Sequence, residues 1–102
     1  MAALSAERVA RNLAAIRERI DAAAARAGRD GSEVEILAAV KYLDADQLGV
    51  LADGGVTLVG ENRAQALLEK VRYAEGRLRW HFIGALQSRK VRQIVPHVEL
   101  IH

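Results

Sequence analysis

The sequence contains no cysteine, which excludes disulfide stapling and thiol chemistry and fits a reducing compartment, so we expect a cytoplasmic protein. No apolar run approaches the roughly 18–20 residues of a membrane span, and we expect no membrane partner. The excess of basic over acidic residues, 15 against 13, is too small to indicate a nucleic-acid partner. The GxGxxG, Walker and HExxH motifs are also missing, and no metal site is predicted.

What remains is the composition of one small globular domain spanning residues 1–102, with 51% hydrophobic and 27% charged residues. Its first segment predicts a long amphipathic helix from Ser5 to Ala27, because apolar residues recur there at helical spacing. Ser5 is the predicted N-cap, and Gly28 is the residue predicted to end the helix. The apolar positions are Val9, Leu13, Ile16 and Ile20.

The stretch 35–41 places a run of apolar residues directly before a lysine, Lys41. A short apolar run of this kind predicts a strand around Val34–Lys41 that is buried on both faces, as in a parallel sheet. Because lysine is rarely buried, we expect Lys41 at the rim of the sheet, where α/β proteins bind their ligands.

The rest of the chain alternates predicted helices and strands. Further strands are predicted at Val56–Gly60, Leu78–Gly84 and Val98–Ile101, with starts roughly 20 residues apart, the period of βα units. Helices are predicted between them, two of them opened by Asp44 and by Asn62, each with a glutamine three residues later as in a capping box. The predicted fold class is therefore α/β with parallel βα units after a long helix. Periodicity leaves two architectures open, half of an eight-stranded barrel or a small open sheet.

Candidate functional residues fall at or near the predicted strand ends. Lys41 is a candidate nucleophile, since an apolar surrounding lowers an amine pKa from about 10.4, but a rim lysine can also extend its ammonium into water. Asn62 is either a helix cap or a ligand contact. His81 alternates with Phe82, so it should face away from the helices, where it either bonds a neighbour or lines a site.

Three segments together resemble the YggS/PROSC family of pyridoxal-phosphate-binding proteins, also called pyridoxal phosphate homeostasis proteins. They are the segments 39–41 (AVK), 60–65 (GENRAQ) and 80–90 (WHFIGALQSRK), in the order and spacing of that family. The resemblance runs from about Val34 to the end of the chain. Ala85 departs from it, because many relatives have a polar residue there.

The resemblance implies the N-terminal half of a (β/α)8 TIM-type barrel of the alanine-racemase kind, with pyridoxal 5′-phosphate (PLP) at the carboxyl ends of the strands. By that similarity Lys41 would hold PLP as a Schiff base, Asn62 would lie near the ring oxygen, and His81 would line the pocket. The family's chains continue for roughly as long again, and that second half supplies the phosphate-binding loop. Family members are regarded as carriers or regulators of PLP rather than catalysts, so we expect no catalytic residues here.

Three hypotheses follow for the function. The first is an intracellular PLP-binding protein in PLP homeostasis, which would release the cofactor to PLP-dependent apoenzymes. The second is a fold-type III PLP enzyme, a racemase or decarboxylase, for which His81 is the one candidate acid–base group. The third is a truncated fragment without independent function, which would need a complementary chain or self-association to cover its open sheet edges.

Overall fold

The computed structural model describes residues 4–40, 43–74 and 76–102 as a parallel four-stranded sheet with helices along the chain between its strands. Lys41, the predicted cofactor lysine, lies outside the described residues. The helices are α1 (Ala6–Arg26), α2 (Leu48–Asp53), α3 (Ala64–Ala74) and α4 (Val91–Ile94). The strands are β1 (Ala38–Ala39), β2 (Leu58–Glu61), β3 (Arg79–Phe82) and β4 (Leu100–Ile101).

Helix α1 has both of the predicted ends. The Ser5 side chain accepts a hydrogen bond from the Arg8 backbone N–H, as an N-cap does. Gly28 has a φ of 72°, the left-handed conformation that glycine adopts at low cost after a helix. The N–H groups of Gly28 and Arg29 donate to the carbonyls of Ala25 and Ala24, which completes a Schellman motif. The predicted long helix is confirmed.

The strands lie side by side in chain order, β1-β2-β3-β4, and every neighbouring pair is parallel. In register, Ala39 lies opposite Gly60, and Gly60 lies opposite His81. The predicted α/β class with parallel βα units is therefore confirmed. Because all four strands run the same way, their carboxyl ends share one edge of the sheet.

β1 is shorter and less buried than the sequence predicts. Val40 is fully buried, but Ala39 is exposed and Glu35 is exposed as well. The prediction of a strand buried on both faces is therefore wrong for this segment. The physical reason is that the helices cover one face of the sheet, so alternate residues of β1 point to a face that they leave open.

The hydrophobic core lies between the sheet and its helices. Trp80 and Phe82 of β3 are buried, whereas His81 between them is half-buried, as the alternation along a strand requires. The core also includes residues from α1, β2, α3 and α4: Val9, Val59, Leu67 and Ile94. Within the described ranges, no helix is both long and apolar enough to cross a bilayer.

Candidate functional site

The carboxyl end of β1 is fixed by three hydrogen bonds to Val40. Its N–H donates to the Gly60 carbonyl at 3.0 Å. Its carbonyl accepts from the Leu43 N–H at 3.0 Å and from Lys70 Nζ at 2.7 Å. A carbonyl oxygen has two lone pairs, so the hydrogen-bonding capacity of Val40 is fully used. Val40 is the last described residue before the predicted cofactor lysine.

A buried ion pair connects α3 to the sheet at the same place. Lys70 Nζ lies 2.6 Å from Glu61 Oε2, and the two side chains are 8% and 1% exposed. The other oxygen of Glu61, Oε1, accepts from the backbone N–H groups of Asn62 and Arg63 at 2.9 and 3.3 Å. The buried carboxylate thus has partners for both oxygens, which a charge in a water-excluded site requires.

Asn62 follows β2 at the edge of the sheet where the strands end. Its Oδ1 atom is buried and has no hydrogen-bond partner among the described residues. The predicted role of Asn62 as an N-cap is therefore wrong, because α3 begins at Ala64 and the Glu61 carboxylate caps the preceding N–H groups instead. A buried amide oxygen without a donor is costly, so it marks a place where an external donor would be stabilised.

His81 lies on the face of the sheet opposite the core, as predicted. Its Nδ1 atom is 3.1 Å from Nε2 of His102, and its Nε2 atom is 3.7 Å from Glu99 Oε2. The register partner of His81 is Gly60, which lies two residues before Asn62. His81 therefore lies within the sheet, whereas Asn62 lies just beyond the carboxyl end of the neighbouring strand. No hydrogen bond joins His81 to Asn62 within the described ranges.

Two of the cavities lie at opposite ends of the strands. A cavity of about 300 Å³ lies between the start of α3 and the segment after β3, and Asn62, Gln65, Gln87 and Lys90 are among its lining residues. A cavity of about 410 Å³ lies at the opposite end of the sheet, between α1 and the starts of β1 and β2. Of the candidate residues in the described ranges, the larger cavity is lined by none, and the smaller one is lined by Asn62 but not by His81.

Charged side chains also lie on the open face of the sheet around Arg79, the first residue of β3. The Arg79 guanidinium bonds Glu35 on one side and Glu99 on the other, with closest distances of 2.8 Å to each. Hydrogen bonds from Arg79 lower the pKa of both carboxyl groups, and the two carboxylates in turn raise the pKa of Arg79. These groups are exposed, so water and salt screen the interaction.

Sequence reasoning missed Lys70. The signal was present, because Lys70 lies three residues after Leu67 and one before Val71, on the apolar face of α3. A lysine on such a face needs a buried partner, and the acidic residue that ends the preceding strand, Glu61, supplies it. The pairing joins residues nine positions apart, and the contact with Val40 joins residues thirty apart.

The chain is similar in sequence to proteins named pyridoxal phosphate homeostasis protein. The one from Escherichia coli K12 is 39% identical over 98 residues, covering 92% of this chain and 42% of the relative. The one from Pseudomonas aeruginosa PAO1 is 39% identical over 95 residues, covering 92% of this chain and 41% of the relative. The resemblance predicted from the motifs is confirmed, and the chain spans about two fifths of the length of these curated relatives. No protein-family model matches the chain.

Solved structures share the fold. PipY of Synechococcus elongatus PCC7942, solved with PLP bound, matches with a TM-score of 0.76 at 29% identity, over 92% of this chain and 41% of PipY. A protein of unknown function from Bifidobacterium adolescentis matches with a TM-score of 0.76 at 30% identity, over 95% of this chain and 44% of that one.

Proposed function

We propose that this chain, similar to pyridoxal phosphate homeostasis proteins, forms part of a PLP-binding protein and that Lys41 holds PLP as a Schiff base. The names of the curated relatives and the PLP-bound PipY structure support this choice of ligand. PLP supplies an aldehyde, which condenses with an amine to form a C=N bond and release one water molecule. The reverse hydrolysis would return the cofactor to PLP-dependent apoenzymes, and we expect this to occur in the cytoplasm.

The observation that carries the proposal is the register of β1 against β2. Ala38 lies opposite Val59 and Ala39 lies opposite Gly60. The N–H of Val40, the residue before Lys41, donates to the Gly60 carbonyl at 3.0 Å, two residues before Asn62. The Oδ1 atom of Asn62, which is buried and has no hydrogen-bond partner among the described residues, would accept a hydrogen bond from a ring hydroxyl of the ligand, which fits the part that the resemblance assigns to it.

His81, which does not line the cavity beside Asn62, is proposed to contact the ligand from the open face of the sheet. Its ring is half-buried on the open face of the sheet and bonded to His102, so a ligand would meet a ring whose orientation is already fixed. The names of the curated relatives favour a PLP-binding protein over the racemase or decarboxylase alternative, for which His81 is the one acid–base candidate.

We further propose that residues 1–102 are a partial barrel domain, the N-terminal half of a (β/α)8 barrel of the alanine-racemase kind. Strand order equal to chain order, uniform parallel pairing and relatives more than twice as long support this. Both β1 and β4 have a single strand neighbour in the described sheet, so a complementary chain or a second copy is the proposed cover for its edges.

The test uses the small number of lysines. The chain has Lys41, Lys70 and Lys90. PLP is added to the chain, the visible absorption band of an imine is measured, borohydride is added, and the labelled peptide is identified by mass spectrometry. We expect the label on Lys41, no band in Lys41→Ala, and an unchanged band in the control Arg29→Met, which removes an exposed basic side chain that does not line the cavity beside Asn62. A label that stays on Lys90 or the N-terminal amine, or a band that survives in Lys41→Ala, would contradict the proposal.

A further inference from the structure

Lys70 is buried to an extent that stability alone does not explain. Its residue is 7% exposed and Glu61 is 1% exposed. Apolar residues of similar volume often replace such a pair without loss of stability, since removing two charges from water costs about as much as their attraction returns. Because this buried pair lies at the edge of the candidate site, its burial suggests a role in the geometry of that site as well as in stability.

The contact that suggests this role is the one to Val40. The Lys70 ammonium donates a hydrogen bond to the Val40 carbonyl at 2.7 Å and another to the Glu61 carboxylate at 2.6 Å. That carbonyl belongs to the peptide group between Val40 and Lys41. Because a peptide group is planar, fixing its oxygen fixes the plane through which the chain leaves Val40.

We propose that Lys70 is a positioning residue for Lys41: its ammonium holds the Val40 carbonyl, the oxygen of the peptide group that precedes Lys41. This inference rests on the proposed role of Lys41. The same ion pair also holds the backbone of Asn62, because the Glu61 carboxylate accepts a hydrogen bond from the Asn62 N–H. One buried pair thus bonds to the backbone of Asn62 and to the backbone of the residue before Lys41.

The experiment compares three variants of the full 102-residue chain. Lys70→Met keeps the length of the side chain and removes its donors. Lys70→Met/Glu61→Gln removes both charges but keeps an amide oxygen for the N–H groups of Asn62 and Arg63, so no unpaired charge stays buried. Lys70→Arg keeps the charge and the donors. The control is Arg29→Met, which removes a long basic side chain from an exposed ion pair with Glu33.

The first measurement needs no PLP. Amide hydrogen exchange of Leu43, whose N–H bonds the Val40 carbonyl, is compared with that of Arg79, whose N–H bonds Thr57 at the other end of the strands. After normalisation to Arg79, we expect exchange at Leu43 to rise roughly tenfold or more in the double variant, the effect of losing a charged hydrogen bond at this carbonyl. Lys70→Arg should recover part of the protection, and Arg29→Met should match the wild type.

The second measurement is borohydride trapping of PLP, with the labelled lysine identified. We expect the share of label on Lys41 relative to Lys90 to fall several-fold in the double variant, even though its unfolding midpoint recovers relative to Lys70→Met. Unchanged Leu43 exchange in the double variant overturns the inference, and so does unchanged trapping at Lys41. If the wild-type chain traps no PLP at Lys41, the proposed function fails, and the exchange at Leu43 still decides whether Lys70 holds the Val40 carbonyl.

Discussion

The imidazoles of His81 and His102 meet across β3 and the end of β4, with Nδ1 of the first 3.1 Å from Nε2 of the second. One of the two facing nitrogens must carry the proton and the other must lack it for this contact to be a hydrogen bond. The ring of His81 is therefore held by a neighbour, and a ligand at this site would find it already oriented.

We expect His102→Ala to release the His81 ring with little effect on stability. The lost hydrogen bond is partly exposed, so the free energy of unfolding should fall by about 0.5–1 kcal/mol. The chemical shifts of the His81 ring nitrogens, measured by NMR, should change. His97→Ala, which removes an exposed histidine, is the control and should leave them unchanged. Unaltered His81 resonances in His102→Ala would show that the two rings do not interact in solution.

Gly60→Ala should destabilise the chain because the side chains of Leu37 and Ile83 fill the space beside Gly60 on the open face of the sheet. A Cβ at this position would lie 2.7 Å from Leu37 Cδ2 and 2.8 Å from Ile83 Cδ1. Both atoms are the ends of flexible, partly exposed side chains that can shift, so the cost should lie at the low end of core overpacking, about 1 kcal/mol, measurable by urea unfolding followed through Trp80 fluorescence.

The matched control is Gly49→Ala in α2, where the nearest atom would be 3.9 Å away, so helix propensity should make this change neutral or stabilising. The double variant Leu37→Ala/Gly60→Ala should recover part of the loss by removing one of the two clashes. Equal unfolding midpoints for Gly60→Ala and Gly49→Ala would refute the steric argument.

Asn62→Leu should separate stability from ligand capture. The Asn62 amide oxygen is buried and has no hydrogen-bond partner in the described part of the chain, so an apolar residue of similar size removes this acceptor and should leave the unfolding free energy equal or higher. Capture of PLP, measured by borohydride trapping, should weaken several-fold because the proposed acceptor is gone. A variant that traps PLP as well as the wild type would remove Asn62 from the proposed site.

Acid should weaken the contacts around Arg79. The pKa values of Glu35 and Glu99 in the folded chain lie below their ordinary value of 4.5 because Arg79 bonds them. A lowered carboxyl pKa contributes stability that is complete above pH 4.5 and is lost as pH falls through the folded value. Arg79→Met should therefore flatten the decline of the unfolding free energy below that pH.

The size of this effect should depend on salt. All three groups are exposed, and 1 M salt screens such pairs strongly, so wild type and Arg79→Met should converge in their acid dependence at high ionic strength. The measurement is a series of urea titrations at decreasing pH, at low and at high salt. Equal acid dependence of the two proteins at low salt would be the contrary result.

Local patterns predicted much of this fold. The caps of α1 and the alternation of Trp80, His81 and Phe82 depend on residues close in sequence, so the sequence alone specified them correctly. The parallel pairing of the strands followed from the period of βα units. The capping box at Asp44 was also found, since its N–H donates to Gln47 Oε1 at 2.8 Å.

Long-range contacts were not predictable in the same way. The extent of β1 depends on which residues of β2 lie beside it, and the apolar run gave no information on that. The role of Asn62 was misassigned because Glu61 satisfies the neighbouring N–H groups. The ammonium of Lys70 finds its acceptor on a strand thirty residues earlier, a distance that no local pattern spans.

The brevity of β1 has a thermal consequence. A segment that pairs with its neighbour through two residues has little cohesion of its own, and its end is tied to the middle of a helix on the far side of β2. Because Lys70 of α3 bonds the Val40 carbonyl, thermal fraying of α3 would release the end of β1 before the strands separate. Loss of one turn of α3, rather than unfolding of the sheet, would then set the temperature at which the end of β1 loses its fixed position.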